Sequence, residues 1–256
     1  PPSPKVVEAV QKVLANGADV LRLYPDPDAS ELKQAIAKQQ SVPVEQVFVG
    51  NGSDEVLAHI FKAFFVQELP LLYPDITYSF YPVYSQFFGV ETKVLPLNDD
   101  FEIVVDDYKQ PNGGIIITNP NAPTSIALGL SAIEEVLQAN PNSVVVIDEA
   151  YVDFGAESAV VLVEKYDNLV VCQTTSKSRS LAGLRVGFAI AQPHLIAALE
   201  AVKNSFNSYP MDRFAIAAAV ASFQDQAYFE AQCQKVIASR EKLVTDLTSL
   251  GFKVLP

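Results

Sequence analysis

The run Val144-Val145-Val146-Ile147-Asp148-Glu149-Ala150-Tyr151 decides the fold class. Its β-branched residues follow one another without polar alternation, so they read as a strand buried on both faces. Working outward, similar short runs occur at 47–49, 115–118, 169–172 and 186–190. Between them, 31–39, 54–65, 131–139 and 194–206 carry apolar residues at helical spacing. Alternation of this kind predicts an α/β domain with a mostly parallel central sheet sandwiched by helices. Further on, Tyr228, Phe229, Cys233, Val236, Ile237, Leu243, Val244 and Leu247 form another helical pattern, which Gly251 stops. The segment 252–255 then reads as the start of a strand. The expected division is a large domain over 19–224, with 1–18 and 225–256 as parts of a small α+β domain.

Composition narrows the function classes. With 49% hydrophobic and 19% charged residues among 256, a sizeable core is expected. A formal net charge of −12 argues against nucleic acid as a partner, because duplex binding needs a surplus of Lys and Arg. The same charge repels anionic ligands at long range, so any anion must be caught by local cations and backbone N–H groups. Cys172 and Cys233 are far apart and lack metal-ligand spacing, so reduced, structural thiols are expected. His59 and His194 each sit on a predicted helix without a partner ligand, which favours structural roles over a metal site. No apolar run approaches about 18 residues and no signal peptide opens the chain, so a soluble, cytoplasmic protein without membrane partners is expected.

In open α/β sheets ligands bind beyond the carboxyl ends of the strands, so the residues just after each run are the informative ones. The run 47–49 leads into Gly50-Asn51-Gly52-Ser53-Asp54-Glu55, and 115–118 into Asn119-Pro120-Asn121-Ala122-Pro123-Thr124. After 144–147 come Asp148 and Tyr151, and after 169–172 come Thr174, Thr175, Ser176 and Lys177. Each piece alone has an ordinary explanation as a turn, a helix cap or a solvated lysine. Their shared edge is what carries weight.

Pyridoxal phosphate (PLP) needs this inventory: a lysine for a Schiff base, a carboxylate to hold the pyridine nitrogen protonated, a phenol or amide for the ring oxygen, an aromatic face, and an anion cradle. Lys177 supplies the amine, Asp148 the carboxylate and Tyr151 the phenol. Ser176 and Arg185 flank the lysine as phosphate ligands, and the amides of Gly52, Ser53 and Asp54 complete the cradle if the Asp54 and Glu55 side chains point away. Tyr78, in the aromatic segment 78–88, offers a ring for stacking, while most other aromatics there read as core.

The segment Ser176-Lys177-Ser178-Arg179-Ser180-Leu181-Ala182-Gly183-Leu184-Arg185 resembles the lysine signature of the class I and II aminotransferases of PLP fold type I. Leu23-Tyr24-Pro25-Asp26-Pro27, the Gly50–Glu55 and Asn119–Thr124 segments, Tyr78-Ser79-Phe80-Tyr81 and Asp148–Tyr151 extend the likeness, in order and spacing, to the histidinol-phosphate branch of that family. The resemblance implies a Schiff-base lysine at Lys177, with Asp148, Tyr151, Thr174, Ser176, Arg185 and the Gly52-Ser53-Asp54 backbone around the cofactor. It implies that Tyr24 reaches the phosphate of a neighbouring subunit in a homodimer. The implied reaction exchanges an amino group between histidinol phosphate and 2-oxoglutarate, in histidine biosynthesis. Related PLP enzymes, such as an aromatic aminotransferase or a threonine-phosphate decarboxylase, remain alternatives, as does a non-catalytic PLP-binding domain.

The chain departs from the family pattern at two places. The ring-oxygen asparagine of the family falls at Ala122, leaving Asn121 as a substitute or Tyr151 to act alone. Arg179 and Ser180 stand where smaller or apolar residues are usual, an expected extra cation near the cofactor. Family members extend before 1–4 and beyond Pro256, so the chain reads as partial, with the substrate-gripping arginines outside it.

Overall fold

A computed structural model describes residues 1–15 and 17–255. Seven strands form one sheet in the order β1-β7-β6-β5-β4-β2-β3. They are β1 (Val47–Asn51), β2 (Leu71–Pro74), β3 (Thr92–Leu95), β4 (Gly114–Thr118), β5 (Val145–Asp148), β6 (Leu169–Thr174) and β7 (Val186–Ala191). Neighbours from β3 to β6 pair in parallel, whereas β7 runs antiparallel to both β6 and β1. This one reversed strand matters for function. Its first residue lies at the edge where β1, β4, β5 and β6 end, so Arg185, just before it, joins their polar termini.

Side-chain alternation explains why both faces are covered. Ile115, Ile117, Val145, Ile147, Leu169 and Val171 pack on one face with α2 (Ser30–Gln40), α5 (Leu130–Ala139) and α7 (Arg213–Phe223). The intervening Ile116, Val146, Val170 and Cys172 face α3 (Ser53–Ile60), α4 (Tyr81–Phe88) and α6 (Pro193–Phe206) on the other. A run that is apolar at every position is what such a sandwich requires. Both cysteines are free and buried. His59 is also buried, edge-on to Phe48 and Phe206, and that burial holds its pKa below the ordinary imidazole value.

The helix expected over 54–65 is α3 followed by a π-helical turn at Phe61–Phe65. The helix α1 (Pro4–Ala15) packs on α7 through Val6 and Ala218. The last helix, α8 (Gln226–Ser249), covers the final helical pattern. The strand expected at 252–255 does not form, and Phe252 is exposed. A strand needs a neighbour to pair its backbone groups, and among the described residues none is offered there.

Candidate active site

At the polar edge of the sheet lies a cleft of about 720 Å³, partly open to solvent. Ser53, Asp54, Tyr78, Asp148, Tyr151, Thr174, Ser176, Lys177 and Arg185 all line it. These residues come from the ends of β1, β5 and β6, the start of β7 and the loop before α4, so the topology brings distant stretches of sequence to one place.

Asp148 closes β5 and is buried. Its Oδ2 accepts a hydrogen bond from the Tyr81 hydroxyl at 2.9 Å, and that hydroxyl lies 2.7 Å from Thr118 Oγ1. Burial pushes the Asp148 carboxyl up to about 6, against the opposing pull of the Tyr81 bond and the Ala150 amide. Across the cleft, Lys177 is exposed, with Nζ 5.4 Å from the centroid of the Tyr151 ring. Among the described residues its amine has no hydrogen-bond or ion-pair partner. Thr174 Oγ1 accepts from the Ser176 amide at 3.1 Å and donates to Ser176 Oγ at 3.0 Å, which fixes the turn carrying the lysine.

The third corner is the start of α3. Gly52 precedes it at φ 88°, in the region that favours glycine. A Cβ at Gly52 would fall 2.4 Å from Arg185 Nη2, so the missing side chain is what lets the guanidinium lie over the helix start. Arg185 Nη2 donates to Asp54 Oδ2 at 2.9 Å. The Tyr78 hydroxyl donates to Asp54 Oδ1 at 3.1 Å; burial, and then the Asp54 charge, push this phenol up to about 12. Glu55 turns back on its own chain, accepting from the Asn51 amide at 2.6 Å.

Four expectations need correction or placement. Asp54 does not point away from the cleft: its carboxylate pairs with Arg185, and among the described residues that guanidinium has no other anionic partner. Asn121 is not a wall of the cleft. Its Nδ2 donates to the Ile76 carbonyl and to Thr124 Oγ1, its Oδ1 is buried without a partner among the described residues, and Ala122 faces the cleft instead. Arg179 brings no cation to this site; it is buried with its guanidinium 4.0 Å from each of the Phe223 and Phe229 rings, donating to the Ser222 carbonyl. Tyr24 stands outside the cleft, 79% exposed and stacked on Tyr209. Tyr81 and Thr118 were missed by sequence reasoning. Tyr81 is wholly buried within an aromatic segment that reads as core, and Thr118 ends an apolar strand. The available signal was their shared polarity at the polar ends of apolar elements.

The donor set fits PLP. A buried carboxylate with two hydrogen-bond donors suits a protonated pyridine, and an unpartnered primary amine suits covalent attachment. A glycine-floored helix start under a guanidinium suits a phosphate, and an anionic group, the Asp54 carboxylate, already sits against that guanidinium.

Comparisons with known proteins agree. Residues 1–256 match the family model described as aminotransferase class I and II. The chain is 83% identical over 256 residues to a histidinol-phosphate aminotransferase of Acinetobacter baumannii (strain AYE), covering all of this chain and 71% of that protein. It is 79% identical to a histidinol-phosphate aminotransferase of Acinetobacter baylyi, with the same shares covered. The crystal structure of histidinol-phosphate aminotransferase from Sinorhizobium meliloti in complex with pyridoxal-5'-phosphate matches with a TM-score of 0.86 at 24% identity, covering 100% of this chain and 70% of that one. That likeness speaks to the fold, whereas the family match and the sequence relatives speak to descent. The chain belongs to the class I and II aminotransferases, PLP-dependent transaminases of the α/β class.

Proposed function

We propose that the protein transfers the amino group of histidinol phosphate to 2-oxoglutarate, giving imidazole acetol phosphate and glutamate. The supporting observation is the cleft itself, where the unpartnered Lys177 amine and the buried Asp148 carboxylate line one cavity. Relatives at 83% and 79% identity carry the histidinol-phosphate aminotransferase name, which favours that donor over an aromatic amino acid or threonine phosphate.

When bound, PLP supplies an electron sink for the pair left on the donor's amine-bearing carbon. Lys177 anchors the cofactor, and its Nζ, once released, takes the proton from that carbon. Asp148 holds a proton on the pyridine nitrogen, which keeps the sink effective. Tyr151 carries the ring-oxygen contact alone, since Ala122 offers only a methyl and Asn121 is turned aside. Tyr78 offers the stacking ring. Ser53, Asp54 and Gly52 offer backbone N–H groups to the phosphate, with Ser176, Thr174 and Arg185; Arg185 exchanges the Asp54 carboxylate for that phosphate. The proposal includes a cytoplasmic homodimer in which Tyr24 serves the neighbouring site, and a division into 19–224 and a smaller unit containing 1–18 and 225–256. Two free, buried thiols are in keeping with a reducing compartment.

The test is a single-turnover experiment. Holoenzyme is mixed separately with histidinol phosphate, phenylalanine and threonine phosphate, and the cofactor's visible band is followed. Histidinol phosphate should bleach it at least tenfold faster than the others, without release of CO₂. Lys177→Ala should lose both turnover and the borohydride-fixed adduct. Full turnover by Lys177→Ala would remove the reading.

A further inference from the structure

The structure assigns to Tyr81 a positioning role for Asp148: its hydroxyl is the last link of a directed hydrogen-bond chain that holds this carboxylate charged and aimed at the cleft. The inference rests on the PLP reading of the cleft and goes beyond it by naming residues that do not touch the reacting atoms.

Proton counting gives the direction. Tyr81 Oη has one proton and two oxygen neighbours, Asp148 Oδ2 at 2.9 Å and Thr118 Oγ1 at 2.7 Å. An ionised carboxylate only accepts, so the tyrosine proton goes to Asp148. Thr118 must then donate to Tyr81. Having used its proton there, Thr118 accepts from Thr77 Oγ1, 3.1 Å away. The chain runs Thr77 to Thr118 to Tyr81 to Asp148, linking the loop after β2, the end of β4, the start of α4 and the end of β5.

The surroundings explain why a phenol is placed there. Tyr81 and Asp148 are buried in an otherwise apolar layer beneath the cleft. The charged and titratable groups facing Asp148 are Tyr81 and Tyr84 from α4, Tyr78 from the loop before it, Cys172 from β6, Asp54 from α3 and Lys177 from the loop after β6. Burial, and then the Asp54 charge, favour a neutral carboxyl, and a neutral carboxyl cannot hold a pyridinium. Tyr81 opposes both by donating a hydrogen bond to the charged form. Phe61, Tyr73 and Tyr78 pack around its ring, so a phenylalanine would keep the packing and lose only the donor.

The test compares Tyr81→Phe, Thr118→Val, Thr118→Ser and Tyr73→Phe with the parent holoenzyme. Tyr73 belongs to the same aromatic layer, and among the described residues its hydroxyl makes no hydrogen bond. Two quantities are read: PLP affinity of the cofactor-free protein, and the pH midpoint of the cofactor's visible absorbance. Tyr81→Phe should weaken PLP binding roughly tenfold, the scale of one lost hydrogen bond to a charged group. Its pH midpoint should rise by about one unit, since a ring nitrogen that holds less positive charge makes the Lys177-linked nitrogen more basic. Thr118→Val should move both readouts the same way by less, Thr118→Ser should restore them, and Tyr73→Phe should leave them in place. Tyr81→Phe and Thr118→Val that bind and titrate like the parent would overturn the assignment. If Tyr81→Phe does not fold, Thr118→Val against Thr118→Ser decides it on the same readouts. A parent protein with no Lys177-dependent band would overturn the cofactor reading, and this inference with it.

Discussion

Asp148 and Glu149 are adjacent carboxyls that leave β5 toward opposite faces of the sheet. Asp148 turns toward Tyr81; Glu149 accepts from Ser158 Oγ and the Ala159 amide at 2.6 Å and from Gln173 Nε2 at 2.8 Å. Burial dominates both, pushing Asp148 up to about 6 and Glu149 up to about 7. Because both pKa values are raised over the unfolded ones, the native state binds more protons between pH 4 and 7. Their contribution to stability is therefore full below about pH 4 and is lost as pH climbs through about 6 and about 7. A carboxyl that holds its proton about two pH units higher when folded accounts for on the order of 3 kcal/mol. Urea midpoints of the cofactor-free protein should fall between pH 5 and 7.5, and Glu149→Gln should remove roughly two thirds of that fall. An unchanged slope in Glu149→Gln would count against a buried, proton-holding Glu149. At this scale the sequence pointed to polar residues beside strand ends, and the fold brings Lys177, Asp148, Tyr151 and Arg185 to one cleft. The sequence hid those whose role depends on direction. Whether Asn121 or Ala122 faces the cleft, whether Arg179 turns to the cofactor or to Phe223, and where Tyr81 sends its proton are set by packing that only the folded chain supplies.

Among the elements, the contact between β7 and the start of α3 sets the corner of the cleft proposed to hold the phosphate. Gly187 pairs with Gly50 and Thr174 across the sheet, directly under the helix start. A Cβ at Gly187 would lie 2.2 Å from the Ser53 amide nitrogen and 2.4 Å from the Gly52 carbonyl carbon. Both are backbone atoms, so a larger residue must push the helix start away from the sheet. Gly187→Ala should lower stability by about 1–3 kcal/mol. It should also weaken PLP binding at least tenfold, although Arg185, Ser176 and Lys177 are untouched. Equilibrium unfolding with PLP titration checks this; unaltered affinity would show that the helix start does not hold the phosphate. The elements visible in the sequence were those with unbroken β-branched cores. The strands missed were β2, only four residues long and closed by Pro74, and β3, an edge strand whose Thr92, Lys93 and Val94 are exposed. Edge strands lack the two-sided burial that makes an apolar run. The reversal of β7 was equally illegible, since a buried strand reads alike in either direction.

For the molecule as a whole, a net charge of −12 means that an anionic cofactor and substrate are held by a few local cations, so supply of donors from a second subunit is chemically useful. Leu21, Leu23, Tyr24, Phe206 and Tyr209 leave large apolar surface exposed, and Arg213 ties the Leu23 and Tyr24 carbonyls to α7. Exposed aromatic surface of this kind favours contact with another copy. If Tyr24 serves the neighbouring phosphate, each site mixes Lys177 of one subunit with Tyr24 of the other. Lys177→Ala should be inactive, and Tyr24→Phe should bind PLP several-fold more weakly. In a hybrid of the two variants, one site has both defects. The other pairs an intact Lys177 with an intact Tyr24. Mixing and reassociating the variants should therefore restore sites with parental PLP affinity and turnover, up to about a quarter of the total when exchange is random. Sites that act independently would instead give only the Tyr24→Phe behaviour diluted by half. A PLP titration of the mixture separates the two outcomes: a tight phase appears only if the subunits share their sites.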